Sequence, residues 1–247
     1  MPDWLAAGGA GLLAGCALLV GSAIAWFITV PAGLVAAVMA FGSGVLISAL
    51  SFELVQEAMD QAGLRATALG FLAGSLVYVG LNLLLARRGA RHRKRSGDQH
   101  PSGPGTGGAI ALGALIDGIP ESVVLGLSFL AGGGLSVPIL AAVAISNVPE
   151  GLSSTAGMKK SGRSPGYVLG VWGGIAVASG LSALAGYLLL DGAPPGVVAF
   201  ANALAAGAIL SMITDTMIPE AFEKAAVYSG LIATLGFLAA FSLHSLG

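Results

Sequence analysis

The sequence predicts an all-α polytopic membrane protein: a single transmembrane domain over residues 1–247, a bundle of eight transmembrane helices with both termini extracytoplasmic. Three observations predict it. The chain is 55% hydrophobic and 9% charged, with mean hydropathy +0.88, where soluble domains carry roughly 25% charged residues. Its apolar runs repeatedly reach the ~20 residues a helix needs to cross a bilayer. Its basic residues collect in alternate gaps between those runs, the mark of loops on one membrane face. The net charge of -1 gives no ground for a nucleic-acid partner; the lipid bilayer is the first partner. A single cysteine, Cys16, in an apolar run excludes a disulfide framework and a thiolate metal cage.

The elements follow in order. The first run, 5–30, has no basic n-region, only Asp3, and is too long for a signal-peptide core, so it reads as a retained helix. Val30-Pro-Ala separates it from a second run, 32–56. A third, 66–86, leads into a flexible basic loop over 87–108, where Arg87, Arg88, Arg91, Arg93, Lys94 and Arg95 mix with Ser, Gly and Pro. Its two histidines, His92 and His100, make a poor chelate on their own, so the loop reads as a topology anchor rather than a metal collector. Runs four and five, 109–131 and 137–158, flank Gly132-Gly-Gly-Leu-Ser136, and Lys159, Lys160 and Arg163 follow the fifth. The sixth, 167–190, stops at Asp191-Gly-Ala-Pro-Pro195; 197–218 and 227–246 complete the set, with Lys224 between them. With eight crossings, only Arg65 of the 11 Lys and Arg falls away from one face, and the positive-inside rule makes that face cytoplasmic. The 39 glycines suit close helix packing in lipid.

Seven of the 12 acids fall within or at the ends of these runs: Glu53, Glu57, Asp117, Glu121, Glu150, Asp215 and Glu220. The lysines and arginines sit in the gaps, so a bound cation, a proton or water must solvate the deep carboxylates. Asp117-Gly-Ile-Pro-Glu121 and Ser146-Asn-Val-Pro-Glu150 are two proline-carboxylate turns on successive runs, 29 residues apart. Residues four apart share a helical face, which stacks Asp117 on Glu121 and Ser146 on Glu150. Pro120 and Pro149 each remove a helical hydrogen bond and free a carbonyl one turn back. Two helices presenting oxygen at matching depth would enclose a divalent ion. Glu57 and Glu220, at helix ends, also read as simply solvated.

The two turns resemble the paired motifs of the ZIP family of zinc and iron permeases, which carries a His-Asn-x-Pro-Glu-Gly type motif on its fourth helix and a related one on its fifth. The resemblance extends to Phe41-Gly-Ser-Gly-Val45 with Phe52-Glu-Leu-Val-Gln-Glu-Ala58 on the second helix, and to Ala205-Ala-Gly-Ala208 with Asp215-Thr-Met-Ile-Pro-Glu-Ala221 on the seventh. It implies Glu121, Asn147 and Glu150 as metal ligands, joined by Asp117 and Ser146 where the family often has histidine or glutamine. Glu53, Glu57, Asp215 and Glu220 would line the pathway or a gate. Gly118 replaces an asparagine ligand, and Ala183 and Leu184 replace a family glutamate and proline, which points to one ion rather than the usual two.

The resemblance implies a transporter, not an enzyme, that moves a divalent metal ion across the plasma (inner) membrane into the cytoplasm through a carboxylate-lined site between helices 4 and 5. Zn2+ is the first expected cargo, as substrate and not as cofactor; oxygen ligands in place of imidazole widen the range toward iron, manganese and cadmium. The alternative is a proton-linked or transport-inactive relative on the same scaffold. A homodimer is a further partner the sequence leaves open. An enzyme finds no support: there is no His-Glu-x-x-His, and His244 stands alone near the carboxyl end.

Overall fold

Hydroxyl and proline caps set where the helices begin, and glycines set where they break. The computed structural model describes residues 1–87, 106–130, 134–225 and 227–246, without side chains at 106–110, 223–225 and 246. Among the described residues it is helical, with no strand. The helices are α1 (Asp3–Phe27), α2 (Ala32–Ala49), α3 (Gln56–Arg87), α4 (Thr106–Leu127), α5 (Val137–Lys160), α6 (Pro165–Leu190), α7 (Pro195–Met212), α8 (Ile218–Ala225) and α9 (Ser229–Leu246). Two wider π-helical segments, Leu50–Val55 and Ile213–Met217, join α2 to α3 and α7 to α8. The basic loop predicted over 87–108 lies, from 88 to 105, outside the described residues.

Ser136 and Ser164 cap α5 and α6, their hydroxyls accepting from the Ile139 and Tyr167 N–H groups at 3.3 and 3.2 Å. Prolines follow in each first turn, where a missing N–H costs nothing. Gly162, at φ +74°, closes α5, and the next N–H, of Arg163, bonds the Met158 carbonyl at 3.2 Å. Gly63 (φ 73°, ψ 173°) breaks the helical path of the 56-residue stretch Ala32–Arg87, between the runs predicted over 32–56 and 66–86.

Five described stretches are long and apolar enough to cross a membrane: Asp3–Phe27, Ala32–Arg87, Val137–Lys160, Pro165–Leu190 and Pro195–Phe222. These five stretches hold six of the eight predicted spans. Two of the eight lie within Ala32–Arg87, Ser229–Ser245 is apolar but shorter, and α4, whose side chains are described only from Ala111, is not among the five. Large apolar side chains point outward along them, including Leu76 (72% exposed) and Leu189 (81%), a surface suited to lipid rather than water. The chain has the helices of a multi-pass membrane protein.

Contacts divide the helices into two groups. One holds α1, α4, α5 and α6; the other holds α2, α3, α7, α8 and α9; α2 against α5 and α4 against α7 join them. Within the first group α1 runs in the same direction as α5, in a constant register 133 residues apart. The Asn147 amide donates to the Ala14 carbonyl (2.9 Å), the Thr155 hydroxyl to that of Ser22 (3.0 Å) and the Lys159 ammonium to the Trp26 carbonyl (2.6 Å). Within the second group α3 and α7 touch through reciprocal glycines. A Cβ on Gly74 would collide with the Leu204 carbonyl, and one on Gly207 with the Phe71 carbonyl.

Candidate functional site

Helical spacing brings Ser146, Glu150, Ser153 and Ser154 to one side of α5, where they meet the other helix group. Facing them are Met39 of α2, Met212 of α7, Thr216 and Met217 of the π-helical segment, and Glu220 of α8. These residues line a cavity of about 10 Å³ for a water-sized sphere, room for one small occupant. Glu150 is half-buried and Glu220 is 6% exposed. The Ser153 hydroxyl donates a short hydrogen bond to Glu220 Oε1, linking the two groups across the site. Ser146 donates to the Val143 carbonyl at 2.9 Å and Thr216 to the Met212 carbonyl at 2.6 Å. With the hydroxyl hydrogens so engaged, their oxygens keep lone pairs to offer a cation.

Ser146, Glu150 and Glu220, predicted from sequence, therefore meet. Asp117 and Glu121 lie elsewhere. Asp117, 1% exposed, accepts a 2.8 Å hydrogen bond from the Tyr78 hydroxyl of α3. Glu121, 2% exposed, lines a separate cavity of about 10 Å³ among Leu46, Leu50, Val124, Val143 and Ile209. Asn147 does not line this cavity; its amide nitrogen donates to the Ala14 carbonyl of α1. Among the described residues no three His, Cys, Asp or Glu side chains gather into a group able to hold a metal. The cavity at α5 instead combines two carboxylates with hydroxyls and thioethers.

The remaining acids sit at the edges. Glu53 and Asp215 each lie on a π-helical segment, a feature frequent at functional sites. Hydroxyls compete for helical carbonyls there: Ser51 bonds that of Ile47 and Thr214 that of Leu210, at 2.7 and 3.0 Å. Asp215 is exposed, with the Asn82 amide at 3.5 Å. Glu57 accepts from the Gln61 amide at 2.8 Å. Glu53 meets His244, Nδ1 to Oε1, at 2.6 Å, so the histidine expected to stand alone has a carboxylate partner.

Beyond Ser153 a crevice of about 420 Å³ opens between the end of α1, the start of α2 and the last turns of α5. Ser153 lines both this crevice and the carboxylate cavity, so its bond to Glu220 stands between them. Sequence reasoning missed Ser153, the three methionines, Tyr78 and the role of His244. None carries a motif, and the i+3 spacing of Ser153 from Glu150 was the one local signal. Comparison with protein-family models gives no match, and no curated protein matches the chain.

Proposed function

We propose that the protein is a divalent metal ion transporter of the ZIP type, with eight spans, that carries zinc first and iron, manganese or cadmium besides across the plasma membrane into the cytoplasm. One observation carries the reading: Glu150 and Glu220, from opposite helix groups, line one ion-sized cavity with the Ser146, Ser153, Ser154 and Thr216 hydroxyls. A charge at the centre of a spanning helix costs about 2.5–3.5 kcal/mol on insertion scales, which a divalent ion between two carboxylates offsets. Oxygen ligands admit manganese, while the thioethers of Met39, Met212 and Met217 favour softer ions such as zinc over magnesium. The ion bridges the two groups, so their relative movement exposes it to one side and then the other.

The test is uptake of radioactive zinc into proteoliposomes. Glu150→Ala reduces uptake to background at normal expression and folding; unchanged uptake removes this site from consideration. Flux that follows pH with no dependence on any divalent ion favours the proton-linked alternative.

A further inference from the structure

We propose that Glu53, His244 and Ser136 form a latch that ties the two helix groups together at the end of the bundle where α5 begins, and that its release opens that end. The latch takes its purpose from the transport reading, but its geometry stands apart from the cargo. Glu53 comes from the π-helical segment after α2, and His244 from the last turns of α9. His244 Nδ1 lies 2.6 Å from Glu53 Oε1, and the Ser136 hydroxyl donates to Glu53 Oε2 at 3.1 Å. Glu53 and His244 belong to one helix group, whereas Ser136 caps the leading helix of the other, accepting from the Ile139 N–H at 3.3 Å. One carboxylate, aimed by an imidazole of its own group, thus grips the start of α5.

The grip is held in place. The His244 ring stacks on Phe52 at 5.6 Å, and Phe52 in turn meets Phe237 at 6.0 Å and Phe241 at 5.1 Å. Glu53 is 16% exposed and His244 38%, shielded yet within reach of solvent. The opposite end differs. There α1, α2 and α5 leave the crevice of about 420 Å³ that reaches Ser153. One end is tied and the other open, so releasing the tie favours the converse arrangement. A hydrogen bond to an ionised group shifts such a two-state balance by roughly tenfold or more.

The experiment places a single reporter, Ser146→Cys, in a Cys16→Ser background and labels it in proteoliposomes with a membrane-impermeant thiol reagent on each face in turn. Ser136→Asp keeps an acceptor to cap α5 but sets a carboxylate against Glu53. It raises labelling from the α5-start face about tenfold and lowers it from the other face. His244→Ala, which leaves the cap intact, moves labelling in the same direction and serves should Ser136→Asp fail to fold. Labelling unchanged in both folded variants overturns the latch. Shifted labelling, with no zinc flux in the protein that keeps Ser146, keeps the latch and removes the metal cargo.

Discussion

Ser146 and Glu150 share a face of α5, but the partners that make this face a site come from four other segments: Met39 of α2, Met212 of α7, Thr216 and Met217 of the π-helical segment, and Glu220 of α8. Asn147, one residue along, instead turns its amide to α1 and donates to the Ala14 carbonyl. Asn147→Ala accordingly weakens α1–α5 packing by about 0.5–1.5 kcal/mol, the ordinary worth of a hydrogen bond. Thermal unfolding in detergent reads that loss. Zinc affinity stays within about twofold, whereas a tenfold fall, about 1.4 kcal/mol, would make Asn147 a ligand. The carboxylates themselves were legible in the sequence, since acids in apolar runs stand out against their surroundings. Their partners were not. Ser153 is one serine among many, and the Glu53–His244 contact joins residues 191 positions apart.

Helix breaks were legible because they rest on local chemistry: Ser-Val-Pro and Ser-Pro caps, and glycine at φ +74° after α5. The π-helical segments were not, because neither Leu50–Val55 nor Ile213–Met217 holds a glycine or proline to mark a change of helix type. Nor was the pairing of helices legible from the abundance of glycine alone. Only in three dimensions do Gly74 and Gly207 fall opposite backbone carbonyls of the facing helix. Gly207→Val forces α7 away from the Phe71 carbonyl and costs about 1–3 kcal/mol of overpacking strain. A lowered unfolding temperature, with the ligand set of the cavity untouched, is the expected result; an unchanged one would show that α3 and α7 part without penalty.

At the scale of the molecule, two helix groups share a carboxylate cavity, are tied at one end by Glu53 and Ser136, and stand apart at the other around the crevice. The membrane class was legible from composition, and the division into groups was not, because it depends on which outward faces find one another. On the proposed reading, an ion held by Glu150 of one group and Glu220 of the other, both of which line the cavity, would lower the energy of the arrangement in which they face each other. Binding to the folded state then stabilises the whole protein in proportion to ligand concentration. The most direct measurement is thermal unfolding of the purified protein with zinc, manganese, cadmium or magnesium, for the wild type and a Glu150→Ala/Glu220→Ala double variant. Zinc raises the wild-type unfolding temperature more than magnesium does, and the double variant loses the rise. A zinc-dependent rise of equal size in the double variant, or none with any ion in the wild type, contradicts the account.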